Sequence, residues 1–478
     1  MEQKETIRVR FAPSPTGHLH IGSLRAAIFN WLFARHYGGM FLLRIEDTDQ
    51  QRSKKEYTES ILDALKWCHI DYDGPALMQS DRIKEHKEVV ARLIAEGKAY
   101  KCYCTAKEIE ERNRSQAGYN DLYTGYDRFC ADKKRENGAL GSYVVRFKLP
   151  DDQKSITFND LIRGPITFDR DQFDDFIIVR SDGTPMYNLA AVIDDNYMKI
   201  THVIRGEDHI SNTPKQILLY EACGYQIPKF AHVPLILGPS GDKLSKRDAA
   251  VSVLEYKYQG YIADALFNYL VRLGWSHGDQ EIFSRKELIS LFTLDHVGKK
   301  GAIFDTDKLL WLNGVYMRDM RATDILAFIT NDLGIDLKRT LSDWSEQDII
   351  KLIDLYKERT KTLKELADVL VLLYALPSDY EVASVKRWVD QQTETYLVRL
   401  IALLQEQERF EHEQLAASIK HLCKEHSIKL VALAQPIRLS LTGTSASPGV
   451  FELLEILGKK ESIKRIEAFL DFIQKRNI

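Results

Sequence analysis

Near the start of the chain, a strand, a turn rich in proline and glycine, and the start of a helix follow one another. The short strand-like run from Thr6 to Phe11 is followed, after Ala12, by Pro-Ser-Pro-Thr-Gly-His-Leu-His-Ile-Gly, which ends at Gly22. From Ser23, apolar residues recur at helical spacing until Gly38-Gly39. Free amides and the positive end of a helix dipole would then face the turn, where Gly17 and Gly22 let a ligand approach the backbone. The stretch therefore predicts a phosphate-binding turn between a strand and a helix.

The turn contains neither a G-x-G-x-x-G fingerprint nor a Walker sequence. Taken alone, it fits equally a tight turn with surface histidines. A second element argues for a functional site: the loop Gly238-Pro-Ser-Gly241 is followed by Asp242 and by Lys-Leu-Ser-Lys-Arg, residues 243–247. Lysines on a flexible loop can follow a moving negative charge, whereas arginine imposes a fixed fork.

In this order, the two elements resemble the two signature motifs of class I aminoacyl-tRNA synthetases. His20-Ile-Gly-Ser23 is similar to the motif named HIGH, and residues 243–247 are similar to the motif named KMSKS. The residues assigned to the first motif are Pro13, Gly17, His20, Ile21, Gly22 and Ser23. Those assigned to the second motif are Lys243, Leu244, Ser245, Lys246 and Arg247.

Composition narrows the class of protein. The 478 residues are 44% apolar and 28% charged, which is ordinary for a globular chain of about two to four domains. The formal net charge of −3 means that nucleic acid would have to bind local basic faces. We expect no signal peptide, because Met1-Glu-Gln-Lys-Glu5 is largely polar, and no membrane segment, because no apolar run approaches about 18 residues. Six cysteines do not make a disulfide scaffold in so long a chain, so we expect a cytosolic protein. Separately, we expect a monomer.

Strands alternate with helices over much of the first half of the chain. Met40–Glu46 is a buried strand followed by amphipathic helices at about 55–68 and 81–96, and Ile200–His209 is another apolar strand with a polar end. The alternation predicts an α/β fold with a doubly wound, Rossmann-like parallel sheet. Short alternating segments between Gly141 and about Thr201 predict a small antiparallel module inserted into it.

Amphipathic helices dominate beyond residue 320, with hardly any strand signal. Together with the resemblance, these patterns imply five segments. They are residues 1–99 and 200–250 for the two halves of the catalytic sheet, 100–199 for an α+β connective insertion that binds the tRNA acceptor end, 251–320 for a helical stem-contact domain, and 321–478 for all-helical anticodon-binding domains.

Other segments make the resemblance more specific. Arg44-Ile-Glu-Asp-Thr-Asp49 is similar to a stretch that glutamyl- and glutaminyl-tRNA synthetases share. Phe304–Tyr316 and Ala434–Gly443 are similar to bacterial-type glutamyl-tRNA synthetases with an all-helical anticodon region, and the match runs from Arg8 to the C-terminus. The resemblance implies ATP-dependent ligation of L-glutamate to the 3′ end of tRNA(Glu) through glutamyl-adenylate, with release of diphosphate and AMP. It also implies ATP with Mg²⁺ as the substrate complex.

The resemblance assigns the nucleotide to the two motifs. His20, with the amides of the helix start, would donate to the α-phosphate region, while Lys243 and Lys246 would stabilise charge on the leaving diphosphate. These three are the expected catalytic residues. The expected ATP-binding residues are His18, His20, Gly22, Asp208, Lys243, Ser245 and Lys246.

Glutamate carries two carboxylates and one ammonium group, so its site should hold two cations and one anion. The resemblance assigns Arg10 to the side-chain carboxylate and Arg205 to the α-carboxylate, and the planar fork of arginine suits both. It assigns Ser14 and Glu46 to the amine and Tyr187 to the side chain. The expected glutamate-binding residues are Arg10, Ser14, Glu46, Tyr187, Asn188 and Arg205. Beside the neutral amide of glutamine, we expect the buried charge of Arg10 to lack a partner, at a cost of roughly 3–5 kcal/mol.

The predicted insertion begins with an irregular, polar stretch that carries half of the cysteines. Cys102 and Cys104 form Cys-x-Cys, and Cys130 is a distant third thiol, a pattern that predicts tetrahedral Zn²⁺, with three free thiols as the alternative. Related synthetases often have a tyrosine four residues before the third cysteine and a histidine two residues after it. This chain has Tyr126 at the first position and Asp132 at the second, so either could be the fourth ligand.

Several rival functions fit parts of this pattern. Glutaminyl-tRNA synthetases share the catalytic motifs but have β-barrels after the stem. Glutamyl-queuosine synthetases lack the helical region. Other nucleotidylyltransferases share the motifs but do not need a helical region of this length. An inactive tRNA-binding paralogue is a different class of protein, and intact His20, Lys243 and Lys246 argue against it. An enzyme that also charges tRNA(Gln) with glutamate stays open. The resemblance places Arg359 where the 3′ base of the anticodon is read.

Overall fold

A computed structural model gives the structure of this chain. It describes residues 6–49, 51–114, 125–132, 142–242, 244 and 251–475. The chain forms two compact units. The first unit comprises Met1–Glu255 and Ala263–Leu309, and the second comprises Tyr256–Ile262 and Leu310–Ile478.

The strands of the described residues all lie in the first unit. In chain order they are β1 Arg8–Phe11, β2 Met40–Ile45, β3 Leu77–Met78, β4 Ala99–Cys102, β5 Val144–Phe147, β6 Ser155–Asp160, β7 Gly164–Asp169, β8 Ile177–Val179, β9 His202–Gly206, β10 Lys229–Val233, β11 Ile236–Leu237 and β12 Ala302–Ile303.

The helices of the described residues continue through both units. In chain order they are α1 Ile21–His36, α2 Lys55–Trp67, α3 Ile83–Ala95, α4 Ala106–Arg114, α5 Phe129–Asp132, α6 Tyr187–Tyr197, α7 Thr213–Cys223, α8 Val253–Tyr258, α9 Ala263–Arg272, α10 Arg285–Leu291, α11 Thr306–Asp319, α12 Ala322–Asp332, α13 Leu337–Thr340, α14 Glu346–Tyr356, α15 Leu363–Tyr374, α16 Val382–Trp388, α17 Thr393–Glu406, α18 His412–Glu425, α19 Leu430–Thr442 and α20 Val450–Lys475. Short 3₁₀ turns lie at Gln79–Arg82, Arg170–Gln172, Glu207–Asn212 and Leu294–His296.

A parallel sheet organises the first unit. β1 pairs with β2 and β2 pairs with β3, all parallel, while β9 and β10 form a second parallel pair. The amide of Thr201 donates to the carbonyl of Arg8 at 2.9 Å, which brings the start of β9 beside β1. The resulting order β3-β2-β1-β9-β10 reverses between β1 and β9, so the predicted doubly wound sheet is confirmed. Sheets of this kind bind ligands outside the carboxyl ends of the strands at such a reversal.

The segment between the two halves of this sheet contains two antiparallel elements. β4, β5 and β8 form a separate sheet, and the β6–β7 hairpin joins the parallel sheet through one pairing of Asp160 with Phe230 on β10. The antiparallel strands predicted between Gly141 and about Thr201 are therefore present as β5 to β8.

The helix α6 was not predicted and lies inside the stretch expected to be antiparallel. Every residue from Leu189 to Asp195 is buried, so its sequence shows no alternation between an apolar and a polar helix face. The residues after β9 form two short strands, β10 and β11. β10 ends before Pro234, which has no N–H to donate to a neighbouring strand.

The second unit is helical, as predicted. From α12 to α20, residues 322–475 contain helices and connecting segments but no strand. The side chain of Arg465 is fully buried and holds three elements together: its Nη1 donates to the carbonyl of Leu441 at 2.7 Å, and its Nη2 to that of Tyr374 at 3.2 Å. The long helix α20 bends at Gly458, whose φ is +73°.

In the part of the chain that the structure describes, no helix combines the length and the apolar character needed to cross a lipid bilayer.

Candidate active site

A cavity of about 530 Å³ opens where the strand order reverses, at the carboxyl ends of β1, β9 and β10. Its walls come from the turn after β1, the start of α1, the start of α6 and the 3₁₀ turn after β9. The predicted site residues that line it are Arg10, Pro13, Ser14, His20, Ile21, Gly22, Ser23, Glu46, Tyr187, Arg205, Asp208 and Leu244. The structure thus brings together residues that are widely separated in the sequence.

The start of α1 faces this cavity. His20 is the N-cap residue, and its Nδ1 accepts a hydrogen bond from the amide of Ser23 at 3.3 Å, so the helix begins at Ile21, two residues before its predicted start. A side chain at Gly22 would put its Cβ 3.1 Å from His20 Nδ1 and crowd the cap. The first turn of α1 contains no acidic residue, which leaves the positive end of its dipole available to an anion.

Arg10 lies at the end of β1 and is 4% exposed. Its Nε donates to Oδ1 of Asp195, on α6, at 3.1 Å. Within the described residues its two Nη groups have no hydrogen-bond partner, and the residue lines the cavity. The anchored Nε holds the fork of Arg10 in place, and its two outer nitrogens can bind a carboxylate in two-point fashion.

A second arginine completes a buried ion network next to Arg10. Arg44 is fully buried, and its Nη1 lies 2.5 Å from the same Asp195 Oδ1, while its Nη2 donates to Oε1 of Glu46 at 3.0 Å. Burial alone would raise the pKa of Asp195, but Arg10 and Arg44 outweigh it and hold that pKa below its usual range. Burial keeps the pKa of Glu46 above its usual range despite Arg44. Two guanidinium groups and two carboxylates therefore compensate one another.

The environment of Arg10 corrects one expectation. We expected its charge to lack a partner when the ligand offers only an amide. That expectation is wrong, because the carboxylate of Asp195 already pairs with Arg10 inside the protein. A neutral ligand would leave N–H groups of Arg10 without acceptors, but not a charge without a counter-charge. This lowers the selectivity expected from the residue.

Arg205, at the far side of the cavity, has a different environment. Its Nε donates to Nε2 of His232 at 3.1 Å, and its other acceptors in the described residues are also uncharged. These acceptors are Gln216 Oε1 at 2.9 Å, Thr213 Oγ1 at 2.8 Å, the His209 carbonyl at 3.3 Å and Tyr187 Oη at 3.4 Å. Burial without a paired carboxylate lowers the pKa of Arg205. Its positive charge is held in place but not compensated by an ion pair.

The remaining predicted residues around Arg205 contact one another. Tyr187 Oη lies 3.3 Å from Nδ1 of His209, and Asn188 accepts a hydrogen bond from Gln216 at 3.2 Å without lining the cavity. Burial raises the pKa of Tyr187. Burial and the nearby charge of Arg205 lower the pKa of His209 to about 4, so its imidazole is neutral at physiological pH.

Not every predicted residue is at the cavity. His18 is exposed, with its Nδ1 3.1 Å from the hydroxyl of Ser60 and its ring edge-on to Tyr57, and neither it nor Gly17 lines the cavity. Four residues of the second motif lie outside the described residues: Lys243, Ser245, Lys246 and Arg247.

Sequence reasoning missed the residues that hold the two arginines. Asp195 follows an apolar run on α6, and His232 interrupts the apolar strand β10, so a polar residue within a buried element was the available signal.

Arg25 was also missed: it lines the cavity at 3% exposure, and its guanidinium donates to the carbonyls of Leu273, at 2.7 Å, and Pro234. Burial lowers the pKa of Arg25 to about 10.

A separate cluster of thiols lies where the insertion begins. The sulfur atoms of Cys102, Cys104 and Cys130 all lie within 4.8 Å of one another, with 3.3 Å between those of Cys104 and Cys130. The hydroxyl of Tyr126 is 3.3 Å from the sulfur of Cys102 and 4.0 Å from that of Cys104. The side chain of Asp132 lies outside the described residues. Three thiols and one phenol oxygen are a donor set that fits tetrahedral Zn²⁺.

Arg359, the predicted anticodon-reading residue, lies in the second unit just after α14. Its side chain is exposed, and its amide donates to the carbonyl of Tyr356 at 2.9 Å. Burial lowers the pKa of Arg438, and the charge of nearby Arg359 lowers it further. Two arginines therefore lie near each other at this position.

Comparison with known proteins agrees with this arrangement. The family model described as "tRNA synthetases class I (E and Q), catalytic domain" matches residues 6–311, and the one described as "Anticodon binding domain" matches residues 326–470. A curated glutamate–tRNA ligase from Thermodesulfovibrio yellowstonii is 45% identical over 97% of this chain and 99% of its own length. One from Geobacter sulfurreducens is 44% identical over 98% of this chain and 99% of its own.

Solved structures show the same relationship. The crystal structure of a glutamate tRNA ligase from Elizabethkingia meningosepticum, in complex with its amino acid, superposes with a TM-score of 0.84 at 33% identity. The match covers 98% of this chain and 99% of that one. Since the catalytic family model and the relatives extend over most of the sequence, the chain belongs to the glutamate–tRNA ligase family of class I tRNA synthetases.

Proposed function

We propose that the chain ligates L-glutamate to tRNA(Glu) in an ATP-dependent reaction with two steps and a glutamyl-adenylate intermediate. Relatives that match its full length are named for this activity. The observation that carries the proposal is that buried Arg10 and Arg205, the buried carboxyl of Glu46 and the open start of α1 all line one cavity. Two cations and one anion suit glutamate, and a helix N-terminus beside them suits a phosphate.

In the proposed complex, Arg10 binds the side-chain carboxylate of glutamate and Arg205 binds its α-carboxylate. Glu46 and Ser14 bind the amine, and Tyr187 contacts the side chain. Asn188 supports Gln216, which is itself an acceptor for Arg205. The α-carboxylate is ionised at neutral pH, so it attacks without a general base.

ATP is proposed to lie along the start of α1, with His20 and the backbone near Gly22 at the α-phosphate and Asp208 at the ribose. An oxygen of the α-carboxylate bonds to the α-phosphorus as the bond to the diphosphate breaks. Lys243 and Lys246, with Ser245 of the same loop, stabilise the charge that moves onto this leaving group. Mg²⁺ would accompany the ATP phosphates and neutralise part of their charge. A hydroxyl of the terminal adenosine then takes the glutamyl group, and AMP leaves.

The tRNA is proposed to contact three segments. Residues 100–199 hold the acceptor end, 251–320 the stem and 321–478 the anticodon, where exposed Arg359 meets the 3′ base. Because the net charge is −3, contacts of this kind must come from local basic groups.

We also propose one structural Zn²⁺, held by Cys102, Cys104, Cys130 and Tyr126. The contact of the Tyr126 hydroxyl with two of the thiols supports it as the fourth ligand. A bound Zn²⁺ would fix the geometry of the start of the insertion and take no part in the ligation.

The activity is tested by ATP–diphosphate exchange with glutamate, with and without tRNA, followed by charging of purified tRNA isoacceptors. We expect glutamate-dependent exchange and charging of tRNA(Glu). Charging of tRNA(Gln) as well would identify the broader enzyme, and no activity in either assay would contradict the proposal. Lys246→Ala should slow adenylate formation on the order of a hundredfold, comparable to the loss of one oxyanion-hole donor.

The metal is tested by elemental analysis of the purified protein, with an expected value of about one zinc per chain. Cys102→Ser and Tyr126→Phe should each lower that value, whereas Cys68→Ser, at a buried cysteine outside the cluster, should not. Full zinc content in Tyr126→Phe would mean that Tyr126 is not a ligand of the Zn²⁺ ion. A protein free of zinc, with full activity under chelation, would mean that the thiols are incidental.

A further inference from the structure

A buried aspartate lies behind Arg205, on the side away from the cavity. Asp160 ends β6 and is 1% exposed. Its Oδ2 accepts hydrogen bonds from the amide and from Nδ1 of His232, at 3.0 and 2.6 Å. Its Oδ1 accepts from the amides of Ile162 and Arg163, at 3.0 and 2.9 Å. The carboxylate therefore accepts four N–H groups, which uses both of its oxygens.

These contacts fix which ring nitrogen of His232 carries the proton. An arginine Nε can only donate, so the 3.1 Å contact from Arg205 requires Nε2 of His232 to be the acceptor. The proton of the neutral ring is then on Nδ1, where it is donated to Asp160. Burial lowers the pKa of His232, which agrees with a neutral ring. The polar chain runs without a break from Asp160 through His232 to Arg205.

We propose that Asp160 and His232 are positioning residues for glutamate binding: together they fix the guanidinium plane of Arg205 so that it can meet the α-carboxylate. The inference rests on the proposed function, which assigns that carboxylate to Arg205. Neither residue lines the cavity, so both act through the arginine. Such outer partners commonly set the orientation of the group that touches the ligand.

An asparagine cannot replace Asp160, because its amide has one acceptor oxygen for two pairs of donors. If its NH₂ group faces His232, it opposes the backbone amide and drives the ring proton to Nε2, where it confronts the Nε–H of Arg205. If its NH₂ group faces the other way, it opposes the amides of Ile162 and Arg163 and opens the turn. Either orientation disturbs Arg205, as expected when a carboxylate that sets a histidine tautomer is lost.

The two sides of His232 can be tested separately. His232→Gln places an amide oxygen near the Nε2 position and can still accept from Arg205. His232→Asn is shorter, reaches only the Nδ1 position and leaves Arg205 Nε without an acceptor. We therefore expect His232→Gln to retain more glutamate binding than His232→Asn.

A matched control lies elsewhere in the same unit. His86 and Asp194 form a second buried pair, with 2.9 Å between Nε2 and Oδ1 and 0% exposure of both side chains. Neither residue lines the cavity. His86→Asn should therefore report the general cost of damaging a buried histidine–aspartate pair.

The experiment measures ATP–diphosphate exchange in the presence of tRNA for the parent, Asp160→Asn, His232→Asn, His232→Gln and His86→Asn, all as full-length chains. We expect Asp160→Asn and His232→Asn to raise KM for glutamate by about tenfold or more. KM for ATP should stay within about threefold of the parent. Inhibition by 4-aminobutanoate, which is glutamate without its α-carboxylate, should not change, because this analogue makes no demand on Arg205.

Several outcomes would overturn the inference. One is an unchanged KM for glutamate in folded Asp160→Asn and His232→Asn. Another is a joint rise in KM for glutamate, KM for ATP and the inhibition constant of 4-aminobutanoate, which would indicate general damage. A third is a rise in KM for glutamate in His86→Asn that equals the rise in the other variants, which would also indicate general damage. If a variant does not fold, the comparison of His232→Gln with His232→Asn decides, and equal values for these two contradict the inference. A parent without glutamate-dependent exchange would instead contradict the proposed function.

Discussion

A buried arginine lies at each end of the cavity, and the two arginines differ in whether a carboxylate contacts them. At one end, Arg10 and Arg44 contact the carboxylates of Asp195 and Glu46, so the buried charges cancel. At the other end, Arg205 has only uncharged acceptors among the described residues. Before any ligand binds, Arg10 is in direct contact with a counter-charge, whereas Arg205 is separated from the nearest carboxylate in its polar chain, Asp160, by His232.

This difference separates affinity from selectivity. An uncompensated guanidinium attracts any carboxylate, and every free amino acid has an α-carboxylate for Arg205. A compensated guanidinium gains less binding free energy from the charge of a ligand. More of its binding free energy comes from the fit of its fixed N–H groups to the two oxygens of a carboxylate. The side chain, which distinguishes glutamate from other amino acids, is proposed to meet this second kind of site at Arg10. Selection between similar ligands is strongest where a mismatch leaves buried polar groups unpaired.

The largest effect is expected from removing the uncompensated charge. Arg205→Gln should lower kcat/KM for glutamate by about three decades, because losing one partner of a buried charge pair costs about 4 kcal/mol. Exchange kinetics give the value, and inhibition by 4-aminobutanoate provides the control, since it should match the parent. Activation of glutamate within tenfold of the parent would mean that this end does not bind the α-carboxylate.

The second effect is on the balanced end. Asp195→Asn leaves Arg10 and Arg44 facing only Glu46, and the free energy of unfolding should fall by about 3 kcal/mol because a buried charge loses its counter-charge. KM for glutamate should also rise, since the anchor of Arg10 is weakened. Denaturant unfolding and exchange kinetics give the two values.

The adjacent carboxylate provides the control for this variant. Asp194 is equally buried, but it holds Arg82 at 2.8 Å and His86 at 2.9 Å away from the cavity. Asp194→Asn should therefore cost comparable stability and leave KM for glutamate unchanged. If both variants raise KM equally, the network around Asp195 has no special relation to the ligand.

The third effect concerns selection against glutamine. Since Asp195 already compensates Arg10, glutamine leaves unpaired N–H groups and not an unpaired charge, a loss of about 2 kcal/mol. Arg10→Gln should therefore reduce the preference for glutamate over glutamine by about thirtyfold. The ratio of the two kcat/KM values measures this, with Arg82→Gln as a matched loss of a guanidinium outside the cavity. A preference that is unchanged in Arg10→Gln would move the selector elsewhere, with Tyr187 as the next candidate.

The sequence predicted the central sheet well because its signals are local. An apolar strand that ends in polar residues can be recognised without knowing its neighbours, and Arg10, Glu46 and Arg205 lie at such strand ends, although the resemblance is what made them candidates. The carboxyl ends of parallel strands meet at one edge of the sheet, so these residues converge in one cavity. Their roles toward glutamate and ATP come from the resemblance and remain predictions.

What the sequence left out depends on long-range pairing. Asp160 and Arg205 are linked only through His232, and this depends on the single pairing of β6 with β10, which no periodicity indicates. Helix α6, with Asp195, is buried on all sides and so lacks the apolar–polar alternation that reveals a surface helix. The supports of a site are thus harder to read from sequence than its ligand-binding groups.

The last effect concerns how the stability of the protein depends on pH, and it is the smallest at neutral pH. The two ends of the cavity should differ in the pH range in which they lose stability. The pKa of His209, near Arg205, is about 4 in the folded protein, against about 6.5 for an ordinary histidine. As the pH falls from about 6.5 to about 4, the unfolded chain gains a proton that the folded chain does not, so stability falls. The lowered pKa of His232 acts in the same direction. His209→Gln should flatten the dependence of Tm on pH in this window, while His421→Gln, at an exposed helix position, should not.

The balanced end should respond at lower pH. The pKa of Asp195 lies below its usual value of about 3.9, so its contribution to stability is complete above that value and is lost as the pH falls through the folded pKa. Glu46 acts in the opposite direction and at higher pH, because its pKa is raised above its usual value and the folded state gains stability as the pH falls through that raised pKa. Asp195→Asn should therefore flatten the Tm profile below about pH 4. If His209→Gln and Asp195→Asn flatten the same window, the two ends are electrostatically one site, and the contrast between a compensated and an uncompensated arginine does not hold.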